Sequence, residues 1–299
     1  MAWLQLRLDV GRASAAPLEE ALLAAGAVAV TLEDRADEPV LEPAVGETPL
    51  WRQLRLTGLF PADADTAAVI AGLDRDLLGG SEPRVEILED RDWERAWMAH
   101  YRPMHFGGRL WVCPSWLEPP DPEAINLLLD PGLAFGTGTH PTTALCLGEL
   151  AAGVPAGSVV ADYGCGSGIL AIAAARLGAG RVLCVDNDPQ ALTATAANAE
   201  RNAVAKSALT LARPDAYPAT AWEGRCDLVL ANILAGPLLT LAPTLGALLR
   251  PGGTLLLSGL LGSQAATLIA GYAPQVPLAI AGERDGWVAL RGRRSAGPG

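Results

Sequence analysis

The sequence predicts an α/β fold in two parts: a small α+β two-layer sandwich, then a seven-stranded, doubly wound sheet. Three observations point there. From about Ile125 onward, short apolar strands alternate with helical patterns, the order of a parallel sheet covered on both faces. The run Asp162-Tyr163-Gly164-Cys165-Gly166-Ser167-Gly168 places glycines on a strand-to-helix turn. Charge divides the chain as well: residues 1–90 carry 17 acidic and 7 basic side chains, a net of −10 out of −11. We therefore expect an N-terminal domain over 1–90, a linker helix over 91–102 and the larger domain over 103–299.

In the first domain, residues 3–10 alternate polar and apolar side chains as a half-buried strand does, with Leu4, Leu6, Leu8 and Val10 on one face. Residues 15–25 are helical, 28–33 form a second strand, and the Pro- and Glu-rich stretch 36–49 is an exposed loop. Strand, helix and strand follow at 51–60, 65–78 and 84–89. That β-α-β-β-α-β order suits an antiparallel sheet with helices on one face, a docking module. Residues 90–101 carry Trp93 and Trp97 at i and i+4, one face of a short helix that packs its indoles against a domain.

Residues 106–116 make a Gly-punctuated hairpin into the larger domain. Its strands are expected at 158–161, 181–185, 209–211, 226–231 and 253–258, the last entered through the turn Arg250-Pro251-Gly252. Two more, 277–281 and 287–291, are joined through Gly282 to Gly286, and the final strand runs antiparallel. The tail from Arg293 onward is expected to be disordered.

Composition bounds the function. At 299 residues, half of them hydrophobic, a sizeable core is available. No apolar run reaches the roughly 20 residues that span a bilayer, and the N-terminus lacks the basic segment and apolar core of a secretory signal. A cytoplasmic protein without membrane contact is expected. Cys113, Cys146, Cys165, Cys184 and Cys226 lie far apart in mostly apolar contexts, so they read as reduced, buried thiols. His100, His105 and His140 show no metal-ligand spacing, and no metal is predicted. The acidic first third repels phosphate backbones, which argues against direct nucleic-acid binding. It either docks a basic protein or serves solubility alone.

The glycine run is where a ligand belongs. Such a turn lets backbone approach closely, with the first helical N–H groups facing the ligand. A dinucleotide fingerprint spaces its glycines as G-x-G-x-x-G; here the third glycine comes one residue early, and Asp162 stands two residues before Gly164. A pyrophosphate would not favour that carboxylate, whereas a cofactor with an ammonium group and a sulfonium would, and S-adenosylmethionine carries both. Asp162, Gly164 and Gly166 are thus candidate cofactor residues. Asp186, about 20 residues on at the end of the second strand, is placed to accept from both hydroxyls of a ribose. Asp188, before Pro189, reads as a helix N-terminal residue.

Three further positions converge if ligands lie at the carboxyl ends of the strands. Asn232 follows the fourth strand, and its amide suits orienting the methionine part of the cofactor or an incoming amine. Asp215, after the third strand, is placed to meet the adenine amino group. The Gly/Thr-rich loop over 130–143 suits a lid: Phe135 stands to cover the adenine or the substrate, and Thr143 to offer its hydroxyl. His140, beside Pro141 at a helix start, reads as structural more readily than as a base.

Residues 130–143, 162–170, 185–189 and 232–238 together resemble the bacterial methyltransferases of large-subunit ribosomal protein L-eleven. Asp92-Trp93 and residues 111–116 match as well, so the resemblance covers nearly the whole chain. It implies a seven-stranded doubly wound class I methyltransferase (Rossmann-like) domain that uses S-adenosylmethionine, preceded by a domain that recognises the ribosomal protein. It further implies methyl transfer to several amines, giving trimethylated lysine and α-amino sites. The cofactor ligands it implies fall on Thr143, Gly164, Asp186 and Asn232.

That chemistry needs no acid–base pair. Methyl transfer from a sulfonium to an amine is an in-line displacement aided by positioning and desolvation. The amine must be neutral: with a reference pKa of about 10.4, a lysine is neutral roughly once in 2,500 at pH 7, equivalent to about 4.6 kcal/mol. Burial beside a positive sulfonium lowers the amine pKa, so a rate rising with pH is expected. Enzymes acting on planar nitrogen usually carry Asn-Pro-Pro-Tyr after the fourth strand; Asn232-Ile233-Leu234 offers no such aromatic. The rival readings are a lysine methyltransferase for another protein and a non-catalytic ribosome assembly factor on the same fold. A nicotinamide-dependent oxidoreductase is disfavoured by the glycine spacing and Asp162.

Overall fold

Leu6, Leu8 and Val10 alternate with Arg7 and Asp9 along β1 (Trp3–Gly11), and this period of two sorts the strand into a core face and an open face. The computed structural model describes residues 2–36, 50–88, 101–130 and 138–296, and the chain divides into two units, Met1–His100 and Tyr101–Gly299. In the first unit β1 is followed by α1 (Arg12–Ala24), β2 (Ala29–Asp34), β3 (Gln53–Pro61), α2 (Thr66–Gly72), α3 (Arg75–Leu78) and β4 (Arg84–Leu88). The sheet order is β2-β3-β1-β4 with every neighbouring pair antiparallel, the expected sandwich.

Leu54, Leu56 and Phe60 of β3 complete the core face, onto which α1 lays Ala15, Leu18 and Leu22. On the open face Asp9 takes a bidentate pair from Arg55 at 2.8 and 3.2 Å and a third contact from Arg35 at 3.2 Å, while Arg7 reaches Glu86. The Arg55 hydrogen bond holds the Asp9 carboxyl below its ordinary range. One expected helix over 65–78 is two. Gly72 ends α2, Leu73 is extended, and Asp74 starts α3 by accepting from the Asp76 N–H. The segments 37–49 and 89–100, with Asp92, Trp93 and Trp97 of the expected linker helix, lie outside the described residues.

The second unit opens with a small sheet, β5 (Met104–His105), β6 (Leu110–Cys113) and β7 (Ile125–Leu128). Gly107 and Gly108 turn β5 into antiparallel pairing with β6, at φ of 99° and 52°, and β7 then pairs parallel to β6. After α4 (Pro141–Ala151) come β8 (Val159–Tyr163), α5 (Ile169–Arg176), β9 (Arg181–Val185), α6 (Pro189–Arg201) and β10 (Leu209–Ala212). The chain continues through α7 (Ala219–Trp222), β11 (Cys226–Asn232), α8 (Ala235–Thr240), α9 (Ala242–Leu248), β12 (Leu249–Leu261), α10 (Ala265–Tyr272), β13 (Leu278–Arg284) and β14 (Trp287–Arg293).

Among the described residues seven strands form one sheet, ordered β10-β9-β8-β11-β12-β14-β13, with β14 antiparallel to both neighbours. The chain runs outward from β8 to β10 and then returns to β11 beside β8, so the carboxyl ends of β8 and β11 open a crevice at a topological switch point. Helices bury one face of the sheet with Cys146, Leu147, Leu150 and Ile169 to Ala174. Leu238, Leu245, Leu248, Leu268 and Tyr272 cover the other.

Three local expectations change. Arg250-Pro251-Gly252 lies within β12, whose register against β11 slips between Leu249 and Thr254, so the expected turn is a bulge. The five-residue connection after β13 tightens to Asp285-Gly286, both at positive φ, the twist a two-residue hairpin requires. Arg293 ends β14 and Arg294 donates to the carbonyls of Gly246 and Leu249, so order persists past the expected end; residues 297–299 lie outside the described set.

Candidate functional site

A cavity of about 720 Å³ opens at the carboxyl ends of β8, β9 and β11, lined by Thr143, Tyr163, Gly164, Gly166, Asp186 and Asn232 together with His140, Ile233 and Trp287. Its floor is the glycine turn. Gly164, Gly166 and Gly168 have φ of 80°, 54° and 79°, a region that disfavours side chains. A Cβ on Gly164 would collide with Ile233 Cγ2, and one on Gly168 with Thr195, so close packing as well as curvature demands glycine.

Asp186 sits just past β9 with its carboxylate fixed by two backbone donors. Gly166 N–H gives to Oδ2 at 2.9 Å and Asp188 N–H to Oδ1 at 3.0 Å. Each oxygen can still accept another hydrogen bond, and Asp186 lines the cavity, an arrangement suited to a diol. Asp188 caps α6 by accepting from Gln190, as the sequence predicts. On the opposite side Asn232 ends β11, and its Nδ2 donates to Thr143 Oγ1 at 3.2 Å. Asn232 Oδ1 is buried without a hydrogen-bond partner. A buried acceptor left without a donor is costly.

Two expected ligands are placed elsewhere. Asp162 does not line the cavity. The period of two along β8 puts it on the face of Val160, where it is 1% exposed and its Oδ2 accepts from Ala171 N–H of α5 at 3.0 Å. Burial pushes its carboxyl up to about 7, and Oδ1 has no partner. Asp162 therefore braces the start of α5 behind the turn. Asp215 is turned outward as well: its side chain is 77% exposed and pairs with Arg213 at 3.5 Å, while the neighbouring Pro214 faces the cavity. The turn that follows β10, closed by Ala216 N–H on Arg213, exchanges the two. Phe135 lies outside the described residues.

His140 is the N-cap of α4, its Nδ1 accepting from Thr142 N–H at 3.3 Å and lying 2.7 Å from Thr142 Oγ1. Desolvation lowers its pKa, which favours the neutral imidazole. Its ring meets that of Trp287 edge to face, centroids 4.9 Å apart.

The full-length pattern has relatives. A family model described as ribosomal protein L11 methyltransferase (PrmA) matches residues 2–295. The chain belongs to that family. It is 52% identical over 297 residues to the ribosomal protein L11 methyltransferase of Teredinibacter turnerae, covering 99% of this chain and 98% of the relative. Identity to that of Pseudomonas aeruginosa is 51% over 298 residues, covering 99% and 100%. A crystal structure of ribosomal protein L11 methylase from Lactobacillus delbrueckii subsp. bulgaricus matches with a TM-score of 0.57 and 33% identity, over 65% of this chain and 100% of that one. The seven-stranded sheet is accordingly the class I methyltransferase fold, and the family sets aside the oxidoreductase and assembly-factor readings.

Sequence reasoning missed the apolar side of the cavity: Tyr163, Ile233, Leu234, Pro237, Leu241 and Trp287. For Trp287 the signal existed. An antiparallel last strand begins at the edge where its parallel neighbours end, so its first residue faces the crevice. Among the described residues no cluster of His, Cys, Asp or Glu is placed to hold a metal ion, and no helix is long and apolar enough to cross a membrane. All five cysteines are buried thiols.

Proposed function

We propose that this cavity binds S-adenosylmethionine between Asp186 and Asn232 and that the chain methylates ribosomal protein L11 on lysine ε-amino and α-amino groups. The substrate is the one the family's name gives. The observation that carries the cavity assignment is Asp186, its carboxylate fixed by two backbone donors, across the glycine turn from the joined side chains of Thr143 and Asn232. Bound there, the cofactor supplies an electrophilic methyl group on a positively charged sulfur.

The residues divide the work. Asp186 accepts from the ribose hydroxyls and excludes a phosphorylated ribose by charge. The glycine turn lies under the nucleoside, and Pro214 and Tyr163 add apolar surface beside it. Thr143 and Asn232, already joined at 3.2 Å, hold the methionine end. Leu234, Pro237 and Leu241 exclude water from the approach, which favours the neutral amine. Asp162 holds α5 rather than the cofactor. The net −10 of the N-terminal domain supports docking of a basic ribosomal protein there, in the cytoplasm where ribosomes assemble.

Incubation with labelled S-adenosylmethionine and L11, followed by mass mapping, tests this reading. Label is expected on lysine and α-amino nitrogens of L11. Label on rRNA or on glutamine would overturn it.

A further inference from the structure

The N-terminal unit holds a cavity of its own, of about 480 Å³, over the open face of its sheet. Residues 1–90 contain seven basic side chains, and four of them, Arg7, Arg35, Arg55 and Arg84, line it. Of the 17 acidic side chains only Asp9, Glu82 and Glu86 do so. The cavity therefore carries one positive charge in excess, in a segment whose net charge is −10.

The four arginines are unequally engaged. Arg55 and Arg35 converge on Asp9, and Arg7 pairs with Glu86 at 3.0 Å. Arg84 has neither a hydrogen bond nor an ion pair among the described residues. The register of β1 against β4 sets it directly opposite Arg7, and like charges facing each other across a sheet are destabilising. Five guanidinium N–H donors thus stand unused beside a second cation, where an anion would relieve the repulsion. Ser14 and Gly80 line the same cavity, and among the described residues neither the Ser14 hydroxyl nor the Gly80 N–H has a hydrogen-bond partner.

We propose that this cavity takes a carboxylate of a basic polypeptide, gripped by the free guanidinium of Arg84. One excess positive charge matches a monoanion, and a planar fork of donors matches a carboxylate. A free anion approaching this unit meets its net negative charge, so the carboxylate arrives on a chain that is otherwise basic. Attraction of that chain sets the approach, and capture of its acidic group sets the register. Binding here needs neither cofactor nor methyl transfer, so it stands or falls apart from the S-adenosylmethionine cavity.

The test titrates the full-length protein with three N-acetylated tripeptides and follows the Nε–H resonances of Arg55 and Arg84. Lys-Glu-Lys amide carries a side-chain carboxylate, Lys-Gln-Lys with a free terminus carries a terminal one, and Lys-Gln-Lys amide carries none. At least one carboxylate peptide is expected to bind about tenfold more tightly than the third, and which one does so tells side chain from terminus. General attraction to an acidic unit gives the reverse order, because the third peptide has the highest positive charge. Arg84→Gln is expected to abolish the preference. Arg75→Gln, which removes the same charge from α3 outside the cavity, is expected to keep it. Three peptides that bind alike, or a preference that survives Arg84→Gln, would overturn the assignment. Inorganic phosphate binding as tightly as the better peptide would mark a site for an adventitious ion only, and would overturn it as well.

Discussion

At the scale of single residues, the cavity holds a carboxylate fixed in place by the backbone. Asp186 receives two backbone N–H groups and cannot rotate without losing both. Asp186→Asn replaces one acceptor with an amide donor that confronts those N–H groups. Affinity for S-adenosylmethionine is expected to fall about 10- to 100-fold by calorimetry, about 1.4–2.8 kcal/mol. Asp162 poses a different problem, a carboxyl in the core whose folded pKa is raised from 3.8 to about 7. The folded state binds its proton more tightly than the unfolded chain. Its stabilising contribution is therefore complete below about pH 4 and is lost as pH rises through 7. Melting temperatures of wild type and Asp162→Asn, compared from pH 4 to 8, are expected to show the wild type losing ground steadily across that window. A constant difference would mean that the carboxyl does not titrate there.

At the scale of elements, caps and register decide what faces the cavity. α4 begins at His140, whose imidazole satisfies Thr142 N–H, and its first turn then presents Thr143 to Asn232. Removing the cap with His140→Ala is expected to cost about 1 kcal/mol of stability, read from urea unfolding. Turnover is expected to fall less than tenfold and to keep its rise with pH, because the proton that matters belongs to the amine. Abolished turnover with intact cofactor affinity would make His140 a base after all. Register explains what the sequence concealed. Asp162 and Tyr163 are neighbours on β8, yet alternation sends the carboxylate to the core and leaves the ring at the cavity. The glycine turn, Asp186 and Asn232 were legible as cavity-lining positions because each stands where a strand ends, and Asp188 was legible as a cap because Pro189 follows it. Asp215 was not, since one residue of turn exchanged it with Pro214.

At the scale of the whole molecule, negative charge is segregated from the doubly wound sheet that holds the cavity. The N-terminal unit carries most of the negative charge, but the open face of its sheet gathers Arg7, Arg35 and Arg55 around Asp9 and Glu86. That open face is therefore of mixed charge, and the electrostatic docking proposed for the unit is open to a salt test. Methylation of L11 is expected to weaken as salt rises from 50 to 500 mM, roughly a threefold fall in Debye length, while affinity for S-adenosylmethionine changes little. Measuring KM for L11 and cofactor Kd over the same series separates the two, and a KM indifferent to salt would rule out electrostatic docking.

Alternating apolar patterns, paired glycines and strand-end polar residues were sufficient to specify the two larger sheets, the antiparallel last strand and the placing of Gly164, Gly166, Asp186 and Asn232 at one cavity, because those features are set by local sterics and by periodicity. The tertiary structure alone decided that Asp162 is a buried brace, that Asp215 faces solvent and that Trp287 lines the cavity. Each depends on which strand lies beside which, and that neighbourhood is fixed only when the distant strands β8, β11 and β14 come together in one sheet.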